Sequence, residues 1–205
     1  EPYIPTMTPD VLGTHMEFYN LWSICANLAG YLALANLSCP THRKAFIRSK
    51  KILEEKQALH LHSALLELFG CATWDKAQVE NCLEEAAAAF DLAVRIHKTP
   101  HIGDFKLKPY LRPYLVDATQ DMIANGFHRE AVPWIMTYYT IAILTIGFEG
   151  SDDDKEVFMN HGYRPMMDAL GLATIGDWSQ RAEQARQTAD SIYEFCDDII
   201  ATYSD

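Results

Sequence analysis

The sequence predicts an all-α protein: a single domain, residues 1–205, folded as a bundle of about seven helices with two largely uncharged central helices. Apolar residues recur at intervals of three and four along several long segments, which is the spacing of one helix face. No segment of any length alternates apolar and polar residues as a half-buried strand does. A hydrophobic content of 49% and a charged content of 22% are ordinary for one globular domain of this length.

Two long helices are predicted in the first part of the chain. Thr8 followed by Pro9 indicates the start of the first, because Thr8 can act as the N-cap and Pro9 suits the first helical position. This helix is expected over about residues 8–36, and a Cys-Pro-Thr break follows it. The second is expected over about residues 41–69, since apolar residues recur along it every seven positions, and Gly70 ends it.

Capping residues divide the remainder of the chain. Thr73 or Asp75 is the expected N-cap of the third helix, and Ser151 followed by three aspartates is a strong helix start. Asp177 is expected to open the last helix, and Pro133 either marks the first turn of the fifth helix or kinks it. The helices after the second are predicted over about residues 75–96, 110–125, 129–146, 152–161, 164–170 and 177–203.

Two uncharged stretches raise the question of a membrane. Residues 18–41 and 131–148 carry no charged side chain, and either approaches the ~20 residues that span a bilayer. The first, however, contains several asparagines, and the second contains Pro133 with paired tyrosines and three threonines. Because the other predicted helices are strongly charged, the two stretches are interpreted as central helices of a soluble bundle, and no membrane partner is expected.

Charge and cysteine content limit the partners and the location. The chain has 28 acidic and 17 basic residues, a net charge of -11, which disfavours general nucleic-acid binding because that requires neutralised phosphates. Any anionic partner would need a local basic patch. Five cysteines with no Cys-x-x-Cys pair fit free thiols in a reducing compartment, so a cytoplasmic location is expected.

The sequence lacks the motifs of metal, cofactor and nucleophile chemistry. There are eight histidines, but none has a glutamate three residues before it, as a di-iron bundle requires. His60 and His62 would point about 200° apart on a helix, so they cannot hold one ion together. There is no phosphate-binding glycine loop and no nucleophile elbow. No metal site is therefore predicted, and catalytic residues and cofactor stay undetermined.

The first candidate site is a basic cluster at the start of the second predicted helix. Five of the 17 basic residues lie within residues 39–51. Lys44, Arg48 and Lys51, which are spaced by four and three positions, share one helix face. The cluster is either a solvated face, partly neutralised by Glu54 and Glu55, or a clamp for a phosphate or carboxylate group. The predicted ligand contacts are Arg43, Lys44, Arg48 and Lys51, and Lys50 lies beside them.

The second candidate site lies in residues 125–139, where charged groups stand immediately before an uncharged helix. Arg129 and Glu130 are either the polar start of that helix, with Trp134 packed in the core, or they line a pocket. The pocket hypothesis follows from the position of ligand sites between the helices of bundles. The predicted pocket residues are His128, Arg129, Glu130 and Trp134.

Two segments carry a resemblance to a known class of protein. The patterns "GFHREAVPWIMTYYTIAI" and "RPMMDALGLATIGDWSQRA", within residues 110–185, resemble helical C-terminal domains that follow nucleotidyltransferase catalytic modules in bacterial proteins. The Gly-Ser and downstream Asp-x-Asp of such a module are missing, because Gly150 and Ser151 directly abut the aspartates in a helix-start context. The resemblance therefore implies an accessory helical domain, with the catalysis either located elsewhere or lost.

The leading functional hypothesis is a helical accessory or substrate-binding domain that binds a small anionic molecule, such as a nucleotide or phosphorylated metabolite. A second hypothesis is a self-contained helical enzyme, metal-dependent or not, with a site between the first and fifth predicted helices. A third is an interaction module whose uncharged helices form a homodimer. Whether a reaction is catalysed is left open.

Overall fold

The computed structural model describes residues 27–32, 42–100 and 104–202, and 84% of these residues are helical. No strand occurs within these ranges, so the predicted all-α class is confirmed. The predicted start and end of the first helix lie outside the described residues. The α-helices are α1 (27–32), α2 (His42–Glu55), α3 (Leu59–Phe69), α4 (Lys76–Ile96), α5 (Arg112–Ala124), α6 (His128–Glu149), α7 (Asp152–Phe158), α8 (Arg164–Ala169) and α9 (Ile175–Ala201). Two short 3-10 helices (Asp104–Lys106 and Pro109–Leu111) and a π-helical turn (Met159–Tyr163), which joins α7 directly to α8, supply the other helical residues.

Helix α6 is the centre of the bundle. Every residue from Glu130 to Gly147 is buried, and α2, α3, α4, α5 and α7 all pack against this helix. Burial on all sides explains its uncharged sequence, because no face of the helix meets water. Within the described part of the chain α6 alone is long and apolar enough to cross a membrane, and 94% of its apolar window is buried inside the protein. Such burial is typical of the core helix of a soluble protein.

The other uncharged stretch, residues 18–41, is described only over α1. Leu28, Ala29 and Leu32 of this segment are buried, so its helical and core character is confirmed there. Tyr31 also makes an edge-to-face ring contact with Tyr193 of α9, with centroids 5.2 Å apart. Residues 27–32 therefore contribute to the same core as α6, and Tyr31 packs against the last helix.

The predicted helix over residues 41–69 is wrong as a single element, because the chain breaks between α2 and α3. Gln57 has a φ of 58°, and its amide donates to the Glu54 carbonyl while the Ala58 amide donates to the Leu53 carbonyl. This pair of hydrogen bonds is the Schellman arrangement that ends a helix. Ala58 is buried, so the apolar repeat continues through the break and conceals it in the sequence.

Three helices begin with reciprocal capping boxes. Asp75, rather than Thr73, caps α4 and pairs with Gln78, and Ser151 caps α7 as predicted. The last helix begins two residues before the predicted start. Its N-cap is Thr174, and Asp177 is the third helical residue, whose carboxylate accepts from the Thr174 amide. Asp177 therefore marks the start of the last helix, but as the capping-box partner of the N-cap Thr174 and not as the first residue of the helix.

Pro133 lies inside α6, after the helix has begun at His128. Because proline has no amide hydrogen, the carbonyl of Arg129 four residues earlier loses its helical donor. The Cys71 thiol lies 3.7 Å from that carbonyl oxygen and donates to it. A residue of the α3–α4 connection thus supplies part of the hydrogen bonding that Pro133 removes from the core helix.

The third helix and the last helix are joined where α3 packs against α9. Arg181 donates from Nη1 to the Leu68 carbonyl at 2.8 Å and from Nη2 to the Leu170 carbonyl at 3.0 Å. These two carbonyls belong to the ends of α3 and α8, where helical acceptors lack partners within the helix. Gly70, with a φ of 84°, lies against the Leu170 carbonyl and the Arg181 guanidinium.

Candidate functional site

The outer side of α2 carries part of the predicted cluster as one exposed basic face, defined here as Lys44, Arg48 and Lys51. These residues are exposed, while Phe46, Ser49 and Leu53 of the same helix are buried against the core. The arrangement follows from helix geometry, because positions three and four apart lie on the same side. Three of the four predicted ligand contacts therefore share a solvent-facing surface.

Arg43, the fourth predicted contact, points away from the basic face towards α5. Its side chain is half-buried, its Nη1 donates to the Ala118 carbonyl at 3.4 Å, and its guanidinium lies 5.5 Å from the centre of the Tyr114 ring. A guanidinium over an aromatic ring at this distance makes a cation–π interaction. Arg43 thus joins the start of α2 to α5.

A charged network, the Glu130 network (Lys50, His62 and Glu130), lies between α2, α3 and α6. The Lys50 Nζ is 2.7 Å from Glu130 Oε1, and His62 Nε2 is 3.1 Å from the same oxygen. Glu130 and His62 are only 3% and 5% exposed at their side chains, whereas Lys50 is 38% exposed. One carboxylate is therefore held between a buried imidazole and an ammonium group that reaches solvent.

Glu130 is ionised in this setting. Burial by itself raises the pKa of a carboxyl group, but the hydrogen bonds from His62 and Lys50 outweigh it and lower the pKa of Glu130 to about 2. Its position in the first turn of α6 also favours a negative charge, since the helix dipole is positive there. The carboxylate can only accept hydrogen bonds, so His62 Nε2 carries the proton in this contact.

The second nitrogen of His62 has a different environment. Its Nδ1 is buried and has no hydrogen-bond partner among the described residues. In the neutral imidazole this nitrogen is an acceptor, because Nε2 is the donor to Glu130. His62 is therefore held by Glu130 at one ring nitrogen and enclosed by the protein at the other.

The remaining predicted pocket residues are distributed over different environments. Arg129 Nε donates to the Trp74 carbonyl at 3.0 Å, in the connection before α4, and His128 is half-buried at the first position of α6. Trp134 is buried one turn after Glu130, where its ring makes edge-to-face contacts with Tyr114 and Tyr138 at 5.2 and 5.3 Å. Glu130 therefore contacts α2 and α3, while Trp134 packs against α5.

Two surface grooves lie apart from all eight predicted site residues. A groove of about 600 Å³ runs between α4 and α5, with Leu83, Ala87 and Val116 on its floor and charged groups at its rim. A smaller one of about 320 Å³ is lined by Trp74, Cys82 and Met166, among others. Neither is lined by a residue of the basic face or of the Glu130 network.

Within the described ranges, no group of three or more histidine, cysteine, aspartate or glutamate residues could hold a metal ion. His60 is exposed while His62 is buried, so the two histidines lie on different sides of α3, as their spacing predicts. The pairing of Lys50 and His62 with Glu130 is not evident from the sequence. The one available signal was a glutamate at the start of an uncharged helix, since a buried carboxylate requires a cation or donors.

Comparisons with known proteins give no relatives from which a function could be taken. No protein-family model, no curated protein and no solved structure matches the chain. Function must therefore be inferred from the chemistry of the chain's own residues, chiefly the exposed basic face of α2 and the buried Glu130 network.

Proposed function

We propose that this chain is a cytoplasmic helical accessory domain that binds a small anionic ligand, a nucleotide or a phosphorylated metabolite, on the basic face of α2. The observation that carries the proposal is three exposed cations on one side of a single helix in a protein of net charge -11. The resemblance of residues 110–185 to helical domains of nucleotidyltransferase-like proteins supports an accessory role. Cys82 and Cys196 are buried thiols outside any disulfide, which fits a reducing compartment.

The chemistry of the basic face suits a small anion better than a polymer. Arg48 offers a planar fork for a phosphate or carboxylate, and Lys44 and Lys51 supply point charges on either side along the helix. A long nucleic acid would extend beyond this face onto an acidic surface, where repulsion opposes binding. Lys50 does not belong to the face, because its ammonium group is bound to Glu130.

Charge reversal on the basic face tests the proposal. We expect the triple variant Lys44→Glu, Arg48→Glu, Lys51→Glu to bind adenosine monophosphate and inorganic phosphate at least tenfold more weakly than wild type in isothermal titration calorimetry. A tenfold change in Kd corresponds to about 1.4 kcal/mol of binding free energy. The affinity of the wild type should also fall as salt is added. Lys76→Glu on α4, an exposed lysine outside the face, is the matched control. If wild type, the triple variant and Lys76→Glu bind these ligands with equal affinity, the proposal is contradicted.

A further inference from the structure

The groove of about 600 Å³ between α4 and α5, called here the α4–α5 groove, is an apolar channel that opens to solvent. Its apolar lining consists of Leu83, Ala87, Ala88, Val116, Ile123 and Ala124. Every residue that lines it belongs to α4 or α5, so no third helix within the described ranges covers it. An apolar seam between two helices of a bundle is stabilised when another element packs over it.

The length of the α4–α5 groove matches that of a short helix. On α4 the lining residues extend from Lys76 to Asp91, which is about 22 Å along the helix axis at 1.5 Å per residue. A partner helix of about 15 residues covers the same distance. Ala88 and Ala124 are exposed and project little beyond the backbone, so a neighbouring helix can approach closely. Larger apolar side chains of that helix would fill the space above the floor.

The lining also limits the backbone conformation of an occupant. Between their ends, α4 and α5 form their backbone hydrogen bonds within each helix, so the middle of the groove offers no backbone donor or acceptor. An extended segment would bury its own amides and carbonyls against apolar side chains without partners, which is costly. A helix satisfies these groups internally. The groove therefore favours a helical occupant over a strand or a loop.

The rim of the α4–α5 groove carries an excess of negative charge. At one end the Lys76 Nζ is 3.6 Å from Glu80 Oε1, and at the other the Arg112 Nε is 2.8 Å from Asp91 Oδ1. Both cations of the rim are therefore paired with its own carboxylates. Glu84 lies between these pairs on α4 and has no ion-pair partner within the described ranges. Because the whole chain has a net charge of -11, its field attracts a cationic partner and repels an anionic one.

We propose that the α4–α5 groove is the docking site for one amphipathic helix of another protein, with leucine-sized side chains on its apolar face and lysine or arginine on its flanks. The apolar face lies on the groove floor, and the basic flanks meet Glu84 and the other carboxylates of the rim. This is the helix-in-groove mode of recognition. The inference goes beyond the proposed function, because the groove shares no residue with the basic face of α2.

Fluorescence anisotropy with a designed peptide tests the docking site. The probe is a fluorescein-labelled peptide of about 15 residues, with leucine along one helix face and lysine at the remaining positions. We expect wild type to bind it saturably in the micromolar range at about 150 mM salt. The double variant Ala88→Trp, Ala124→Trp fills the groove from two exposed positions and should bind at least tenfold more weakly. Ala77→Trp, at an exposed alanine of α4 outside the groove, is the matched control and should bind as wild type does. Circular dichroism and thermal melting check that each variant is folded.

The charge of the partner is tested separately. Glu84→Lys should weaken binding of the lysine peptide about fivefold, because it removes an attraction and adds a repulsion. Glu156→Lys, an equal change of charge at an exposed position of α7, should leave the affinity unchanged. If a peptide with glutamate in place of every lysine binds as tightly as the lysine peptide, the assigned charge of the partner is wrong.

Three further outcomes would overturn the docking site. The first is the absence of saturable binding by wild type, and the second is equal affinity of the double variant and Ala77→Trp for the lysine peptide. The third is equal binding of a scrambled peptide of the same composition, since the groove would then not recognise an amphipathic helix. Self-association of wild type in sedimentation that the double variant lacks would assign the groove to a second copy of this chain instead.

Discussion

Replacement of Glu130 by alanine should lower the free energy of unfolding by about 3 kcal/mol, measured by urea denaturation, because it breaks a buried charge pair by removing one partner. The change leaves the buried His62 Nε2 without its acceptor and the Lys50 ammonium without its counter-charge. Lys50 can turn towards water, since it is partly exposed, but the His62 imidazole is enclosed. Most of the loss is therefore expected from the unsatisfied imidazole and the emptied volume.

Glu67→Ala on the exposed side of α3 is the matched control for a lost glutamate. It should change the free energy of unfolding by less than about 0.5 kcal/mol, as surface substitutions do. Glu130→Gln keeps the size of the side chain and an acceptor for His62 but removes the charge. Its loss of unfolding free energy should therefore lie between those of Glu130→Ala and Glu67→Ala. If Glu130→Ala proves no more costly than Glu67→Ala, the network contributes nothing to stability.

The same network predicts a pH dependence. The pKa of Glu130 is about 2 in the folded protein, below its ordinary value of 4.5, so between these values only the unfolded chain binds the proton. The associated stabilisation, roughly 3 kcal/mol, is complete above about pH 4.5 and is lost as the pH falls towards 2. Glu130→Gln should lack this contribution. Parallel stability curves of wild type and Glu130→Gln from pH 6 to pH 2 would contradict the assignment.

Gly70→Ala should be comparably destabilising, by about 3 kcal/mol in urea denaturation. A left-handed φ of 84° disfavours any side chain, and the added Cβ would overlap the carbonyl oxygen of Leu170 and lie 3.0 Å from its carbonyl carbon. That obstacle is backbone and cannot rotate away. Relief requires the end of α8 to move, which would also strain the hydrogen bond from Arg181 to Leu170.

Gly126 supplies a control with the same backbone conformation and no obstacle. Its φ is 82°, but a Cβ there would meet no atom within 4 Å. Gly126→Ala should therefore show only the cost of the left-handed conformation, about 1 kcal/mol. The difference between the two variants measures the contact between Gly70 and Leu170. Equal losses in both variants would show that close packing at Gly70 is unimportant.

The sequence was sufficient for the fold class because periodicity and capping signals are local. The uncharged segment 131–148 indicated a central helix, and Ser151 indicated the start of α7, since both signals depend only on neighbouring residues. Glu130 was also recognisable, as a carboxylate that precedes an uncharged helix. These features require no knowledge of which helices meet.

The partners of Glu130 could not be predicted for a geometric reason. Lys50 and His62 are 12 positions apart, and on one continuous helix they would be separated by about 18 Å along its axis. They can contact the same carboxylate oxygen only because the chain turns at Gln57, which is neither glycine nor proline. The sequence contains no ordinary signal for that turn, so the site depends on a break that the apolar repeat conceals.

The contact between α3 and α9 has a consequence for the order of folding. Helices α4, α5 and α6 are consecutive and pack on one another, so they can assemble with short loop closures. The Arg181 contact with Leu68 instead joins residues 113 positions apart. Closing so long a loop has a high entropic cost before any contact offsets it. A ribosome must therefore release nearly all of the described chain before this last helix can dock, whereas α4, α5 and α6 can pack on one another earlier in synthesis.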